Sequence, residues 1–124
     1  YTLTGALKLF FRELKEPLLT FALFDKAVPA LLKDSNAERL KIFKECINAL
    51  PKNNYETFKF LCSHLLKVVE LSKENRMEVQ NIAIVFGPTL IWPKHENNHC
   101  IATNMVYQSR IVEYCLLESK AIFK

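Results

Sequence analysis

Lys8 and Arg12 stand four residues apart in the stretch ALKLFFREL. On a helix that spacing stacks them on one face, where like charges cost about 0.2–0.5 kcal/mol. At about 100° per residue, this face lies well away from Leu3, Leu7, Phe10 and Leu14, with Lys15 beside it. Two readings of the pair stand side by side: a solvated basic edge, or a seat for an anionic partner surface. A second polar residue draws attention in VQNIAIVFGPTLIWP. Asn81 leads a run that is apolar from Ile82 to Trp92 apart from Gly87, Pro88 and Thr89. A buried carboxamide without a partner costs about 1–3 kcal/mol, so Asn81 is expected to hydrogen-bond a neighbouring loop. That loop is either purely structural or functional.

Other chemistries find less support. The chain has neither GxGxxG nor GxxxxGK[ST], so no glycine-rich phosphate cradle is expected. GxSxG is absent too, so no serine-hydrolase motif is read. HENNHC offers His95, His99 and Cys100, but two histidines four apart suit zinc only on a helix. This stretch reads as a loop, so no metal site is expected. His64 reads as a helix-face residue, and Tyr55, Tyr107 and Tyr114 read as packing residues. The net charge of +4 suits an acidic partner surface. The basic residues are interleaved with acids, which argues against nucleic acid. Cys46, Cys62, Cys100 and Cys115 are widely spaced with no CxxC. Buried, reduced thiols in a cytoplasmic protein are the expected state. No signal peptide and no segment of transmembrane length is read.

These residues must be positioned by helices. Only two glycines occur in 124 residues, too few for the tight turns of a sandwich or barrel. The periodicity predicts an all-α bundle of about six helices in one domain. The first covers about 3–15, its inward face carrying Leu3, Leu7, Phe10 and Leu14. The second covers about 21–33, capped by Thr20, with Pro29 causing a kink or a late start. Ser35 and Glu38 form a capping box for a third, about 36–49. Asn53 or Asn54 opens a fourth, about 54–72, whose second apolar patch (Phe60, Leu71) suggests a central place in the bundle. The fifth, about 77–86, is expected to stop at Gly87-Pro88. The last covers about 103–120.

GALKLFFRELKEPLL, followed some sixty residues later by NIAIVFGPTLIWP, resembles the Rho GTPase-activating (RhoGAP) domain family. LPKNNYETFKFLCSHLLKVV is similar to the family's helix before the second motif. The resemblance covers essentially the whole chain, and the two motifs are specific together, in this order and at this separation. It implies an all-α domain that docks on the switch regions of a GTP-bound Rho-family small GTPase, with magnesium on the partner and no cofactor of its own. Lys8 and Arg12 would line the docking face. Asn81 would help hold the catalytic loop and the partner, and Asn104 to Gln108 would lie at the rim. The chain would regulate an enzyme rather than be one, and any membrane recruitment would fall to other domains. Lys15 stands where the family usually has proline. The family's catalytic arginine lies in a Gly-x-(Phe/Tyr)-Arg loop upstream of the first motif. Arg12, Arg39, Arg76 and Arg110 are the only arginines here, and none matches that loop. The expectation is therefore a single domain over 1–124 lacking the arginine-finger segment, with weak activation by itself and a tendency to self-associate through uncovered core. The alternative is a non-catalytic helical interaction module.

Overall fold

Residues 2–71, 79–93 and 101–123 are described by the structure, a computed structural model. Helix α1 spans Thr2–Arg12, α2 Phe21–Leu31, α3 Asn36–Asn48 and α4 Lys52–Glu70. They are followed by α5 at Val79–Leu90, α6 at Ile101–Leu117 and a short α7 at Ser119–Ile122. Among the described residues every regular element is helical, as the all-α reading expected. None of these helices is long and apolar enough to cross a membrane.

Local signals account for several boundaries. The Thr20 hydroxyl accepts from Leu23 N–H at 3.3 Å and starts α2, so the late start considered for Pro29 does not occur. Pro29 instead falls in the last turn, and the helix closes two residues later. The Ser35 hydroxyl accepts from Glu38 N–H at 3.4 Å at the start of α3. Helix α4 begins earlier than expected: Pro51 occupies the cap position with no side-chain capping bond. Neither Asn53 nor Asn54 acts as the cap there.

Tertiary packing decides two further features. On α1, Phe11 is 4% exposed whereas Phe10 is 61% exposed, so the inward direction is rotated from the expected stripe. The side chains of Leu3 and Leu7 lie outside the described set. The cause is the neighbour: α1 packs on α5, and Phe11 rather than Phe10 points into that contact. The two rings meet edge to face at 5.4 Å. The second correction is larger. Helix α5 does not stop at Gly87-Pro88 but continues to Leu90, with Ile91 N–H bonded to Gly87 O at 3.2 Å. No glycine here has positive φ, so Gly87 is not a left-handed helix end. Its role is close approach: a Cβ on Gly87 would lie 2.7 Å from Ser109 Cα and 2.9 Å from Gln108 C. The α5–α6 contact, the most extensive in the bundle, requires a residue without a side chain at this point. Pro88 removes the N–H that would bond Ile84 O. Ile84 lies on the exposed side of α5, where water can serve that carbonyl instead.

The core runs through all layers. Leu19, Phe43, Ile47, Phe58, Leu90 and Ile111 are completely buried. Phe43 packs on Tyr114 with ring centroids 4.6 Å apart, and Phe58 on Phe123 at 5.8 Å. On α4, Phe58, Leu61, Cys62 and Leu65 face inward. Phe60 and Leu71 do not form a second packed face as expected; both are exposed.

Candidate functional site

The site is built on α1 and α5, which pack against each other. Helix α1 is anchored by Phe11 and leaves Lys8 half-buried and Arg12 exposed. In the first turn of α5, Asn81 is exposed, while the adjacent Ile82 and Ala83 are buried. This corrects the expectation of an interior carboxamide: the helix turns its apolar side inward and Asn81 outward. Lys8, Arg12 and Asn81 thus sit on two neighbouring helices, each reaching solvent.

Helix α6 adds the flank. Asn104 is half-buried, but Gln108 is only 3% exposed. Its side chain belongs to the interior of the α5–α6 contact rather than to an open rim, because Gly87 brings the α6 backbone close at that level. Among the described residues, Gln108 Oε1 has no hydrogen-bond partner, and neither does the Thr89 hydroxyl on α5. A groove of about 530 Å³ runs between the two helices, lined by Gln80, Ala83, Ile84, Met105, Val106 and Arg110 among others. Ile84, Met105 and Val106 are exposed there. Sequence reading did not identify this groove. Spacing places Ile84, three residues after Asn81, on the same side of the helix, but which way that side faces was not legible.

Among the described residues the cysteines are buried. Burial pushes the Cys62 thiol up, and it pushes Cys115 up as well, with Cys62 and Cys46 nearby adding to the effect at Cys115. For Cys46, burial outweighs the opposing Lys26 charge. None of the three is a thiolate near neutral pH. Among the described residues no group of three His, Cys, Asp or Glu side chains could hold a metal. His95, His99, Cys100 and Arg76 lie outside the described residues.

The chain is similar in sequence and fold to known proteins. Rho GTPase-activating protein 12 of Macaca fascicularis is 50% identical over 123 residues, covering 99% of this chain and 14% of that protein. Rho GTPase-activating protein 15 of Gallus gallus is 44% identical over 123 residues, covering 99% of this chain and 26% of that protein. The chain therefore spans a minor part of these relatives. The crystal structure of human Rho GTPase activating protein 15 superposes with a TM-score of 0.89 at 43% identity, over 98% of this chain and 57% of that one. The BH domain from GRAF, the GTPase regulator associated with focal adhesion kinase, gives 0.87 at 29% identity, over 98% and 65%. Residues 1–95, which include both motif-bearing helices, match the RhoGAP domain family, and to that family this chain belongs.

Proposed function

We propose that the chain docks on a GTP-bound Rho-family small GTPase and assists that partner's hydrolysis of GTP. The observation that carries this reading is the packing of α1 on α5, the two helices bearing the paired motifs, with Arg12 and Asn81 both exposed. Lys8 and Arg12 supply fixed positive charge for an acidic, phosphate-bearing face. Asn81 offers a carboxamide that can donate and accept at once. The groove beside it, with Ile84 and Met105, adds apolar contact next to these polar anchors. Asn104 flanks the surface, and Gln108 supports it from within. The partner contributes the nucleotide and its magnesium ion.

Acceleration by these 124 residues alone should be weak. An arginine finger neutralises charge developing on the transferring phosphoryl group and contributes about 10³–10⁵ in rate, or roughly 4–7 kcal/mol of barrier. Arg39 is committed elsewhere: it donates to Lys33 O at 2.6 Å and lies over the Tyr114 ring at 5.8 Å. Arg12, held on a rigid helix, binds rather than reaches. The second reading, a module that binds without activating, rests on the same lack of a Gly-x-(Phe/Tyr)-Arg run within the chain.

Binding and single-turnover hydrolysis with a panel of Rho-type GTPases test the proposal. Lys8→Ala and Arg12→Ala should each weaken binding about tenfold, equivalent to about 1.4 kcal/mol, and more at low salt than at high salt. Unchanged binding in both variants would refute the docking reading. Full acceleration by the unmodified chain would refute the assignment of weak activity, and no acceleration at all would favour the module. Light scattering on the same samples reads self-association, for which exposed Leu9, Phe10 and Phe60 supply apolar surface. A clean monomer would remove that part of the proposal.

A further inference from the structure

The connection between α1 and α2 ties the two site-bearing helices together. Pro17, Leu18 and Leu19 are buried. Asn54, in the first turn of α4, donates from Nδ2 to Leu18 O at 2.8 Å across 36 residues. The next residue, Leu19, donates its N–H to the carbonyl of Leu90, the last residue of α5, at 3.1 Å. Two successive residues are thus held from opposite sides, one by α4 and one by α5. Thr20 follows at φ 68° and ψ 154°, a backbone region essentially reserved for glycine. A β-branched residue persists there only when its surroundings impose the conformation. Local bonds also shape the link: Thr20 N–H donates to Pro17 O at 2.9 Å and Phe21 N–H to Glu16 Oε2 at 3.2 Å.

From this clamp we infer that Asn54 is a positioning residue for the docking face. Its amide fixes the Leu18 carbonyl, and through the Leu19–Leu90 bond this orients α1, with Lys8 and Arg12, relative to α5, with Asn81. The inference rests on the docking reading above and adds the device that holds its two halves in register. The chemistry requires a donor at position 54. Aspartate has the same shape but would set a carboxylate against a carbonyl oxygen, and leaving that partly buried carbonyl unpaired is unfavourable.

The test compares Asn54→Asp with Tyr114→Phe in the full chain. Tyr114 donates to Asn36 Oδ1 at 3.1 Å, joining α6 to α3 and leaving α1 and α5 untouched. Both variants lose one side-chain hydrogen bond, so both should lower the melting temperature; measurements are made where both are fully folded. Residual dipolar couplings report the angle between α1 and α5. Titration with a Rho-family GTPase loaded with a non-hydrolysable GTP analogue reports affinity. Asn54→Asp is expected to change the angle and weaken binding about 3- to 30-fold, while Tyr114→Phe does neither. An unchanged angle in Asn54→Asp overturns the inference. So does unchanged affinity, or equal weakening in Tyr114→Phe, which would show only general loss of stability. Should Asn54→Asp fail to fold, Asn54→Ala, which removes the donor without adding charge, carries the same comparison. If the unmodified chain binds no GTPase, the docking reading fails, and the angle still decides whether Asn54 sets the register.

Discussion

Thr20 shows how one residue can carry opposing energies. Its hydroxyl caps α2 through Leu23 N–H, a contribution of about 1 kcal/mol. Its backbone, at φ 68°, costs about 1–3 kcal/mol for a residue other than glycine. Thr20→Ala loses the cap and keeps the strain, so it should destabilise by about 1 kcal/mol. Thr20→Gly relieves the strain, loses only a few tenths as a cap, and adds about 0.4–1 kcal/mol of unfolded-state entropy. It should be at least as stable as the unmodified chain in urea unfolding. A glycine variant less stable than the alanine variant would show that the backbone is not strained. The cap was legible in the sequence, because a threonine directly before an apolar periodic run is a local signal. The positive φ was not, and the two residues before Thr20 are held by Leu90 and Asn54, distant along the chain. The same distinction holds for Asn81: its type and its place before the apolar run marked it, but whether it faces in or out depended on which side of α5 met α1 and α6.

At the scale of elements, α5 is the instructive case. Local rules end a helix at Gly-Pro, yet α5 runs on to Leu90. Packing outweighs propensity here, since a proline in a helix interior costs about 3 kcal/mol while burying Phe86, Leu90 and Ile91 returns about 1.5–3 kcal/mol for each large side chain. Gly87 is needed for what it lacks. Gly87→Ala would gain up to about 1 kcal/mol of helix propensity. It would also force Ser109 Cα away from a Cβ at 2.7 Å, and that atom is backbone, which cannot swing aside. Overpacking of this kind costs about 1–3 kcal/mol, so the net change should be destabilising by up to about 2 kcal/mol. Chemical denaturation measures it, and a stabilised Gly87→Ala would mean that α6 yields freely. The groove between α5 and α6 should widen with the same substitution, placing Ile84 and Met105 further apart.

For the molecule as a whole, the buried thiols and Tyr114 set a pH limit. Cys62 and Cys115 are held protonated by burial, above the ordinary thiol value of 9.0. Tyr114 is raised above 10.0, by burial first, then by Glu118, with Arg39 opposing. Above these ordinary values the unfolded chain releases protons that the folded chain keeps, so the unfolded state is favoured as pH rises. These groups contribute no pH dependence near neutrality, and stability should fall progressively above pH 9.0, read as a declining melting temperature. A flat profile through pH 10.0 would show that the thiols are solvated in the folded chain. The sequence by itself determined the helical class, most helix starts and the membership signal in two motifs, and it marked Lys8 and Arg12 as candidates for an anionic partner. Those properties are local: periodicity, capping and residue type act within a few turns. Only the tertiary structure decided that α1 lies on α5, that Phe11 rather than Phe10 faces inward, that Gly87 admits α6, and that Asn54 holds the link between the two site helices. Each of these depends on contacts between segments far apart in the chain, whose geometry follows from how the whole core fills its space and not from any one stretch of residues.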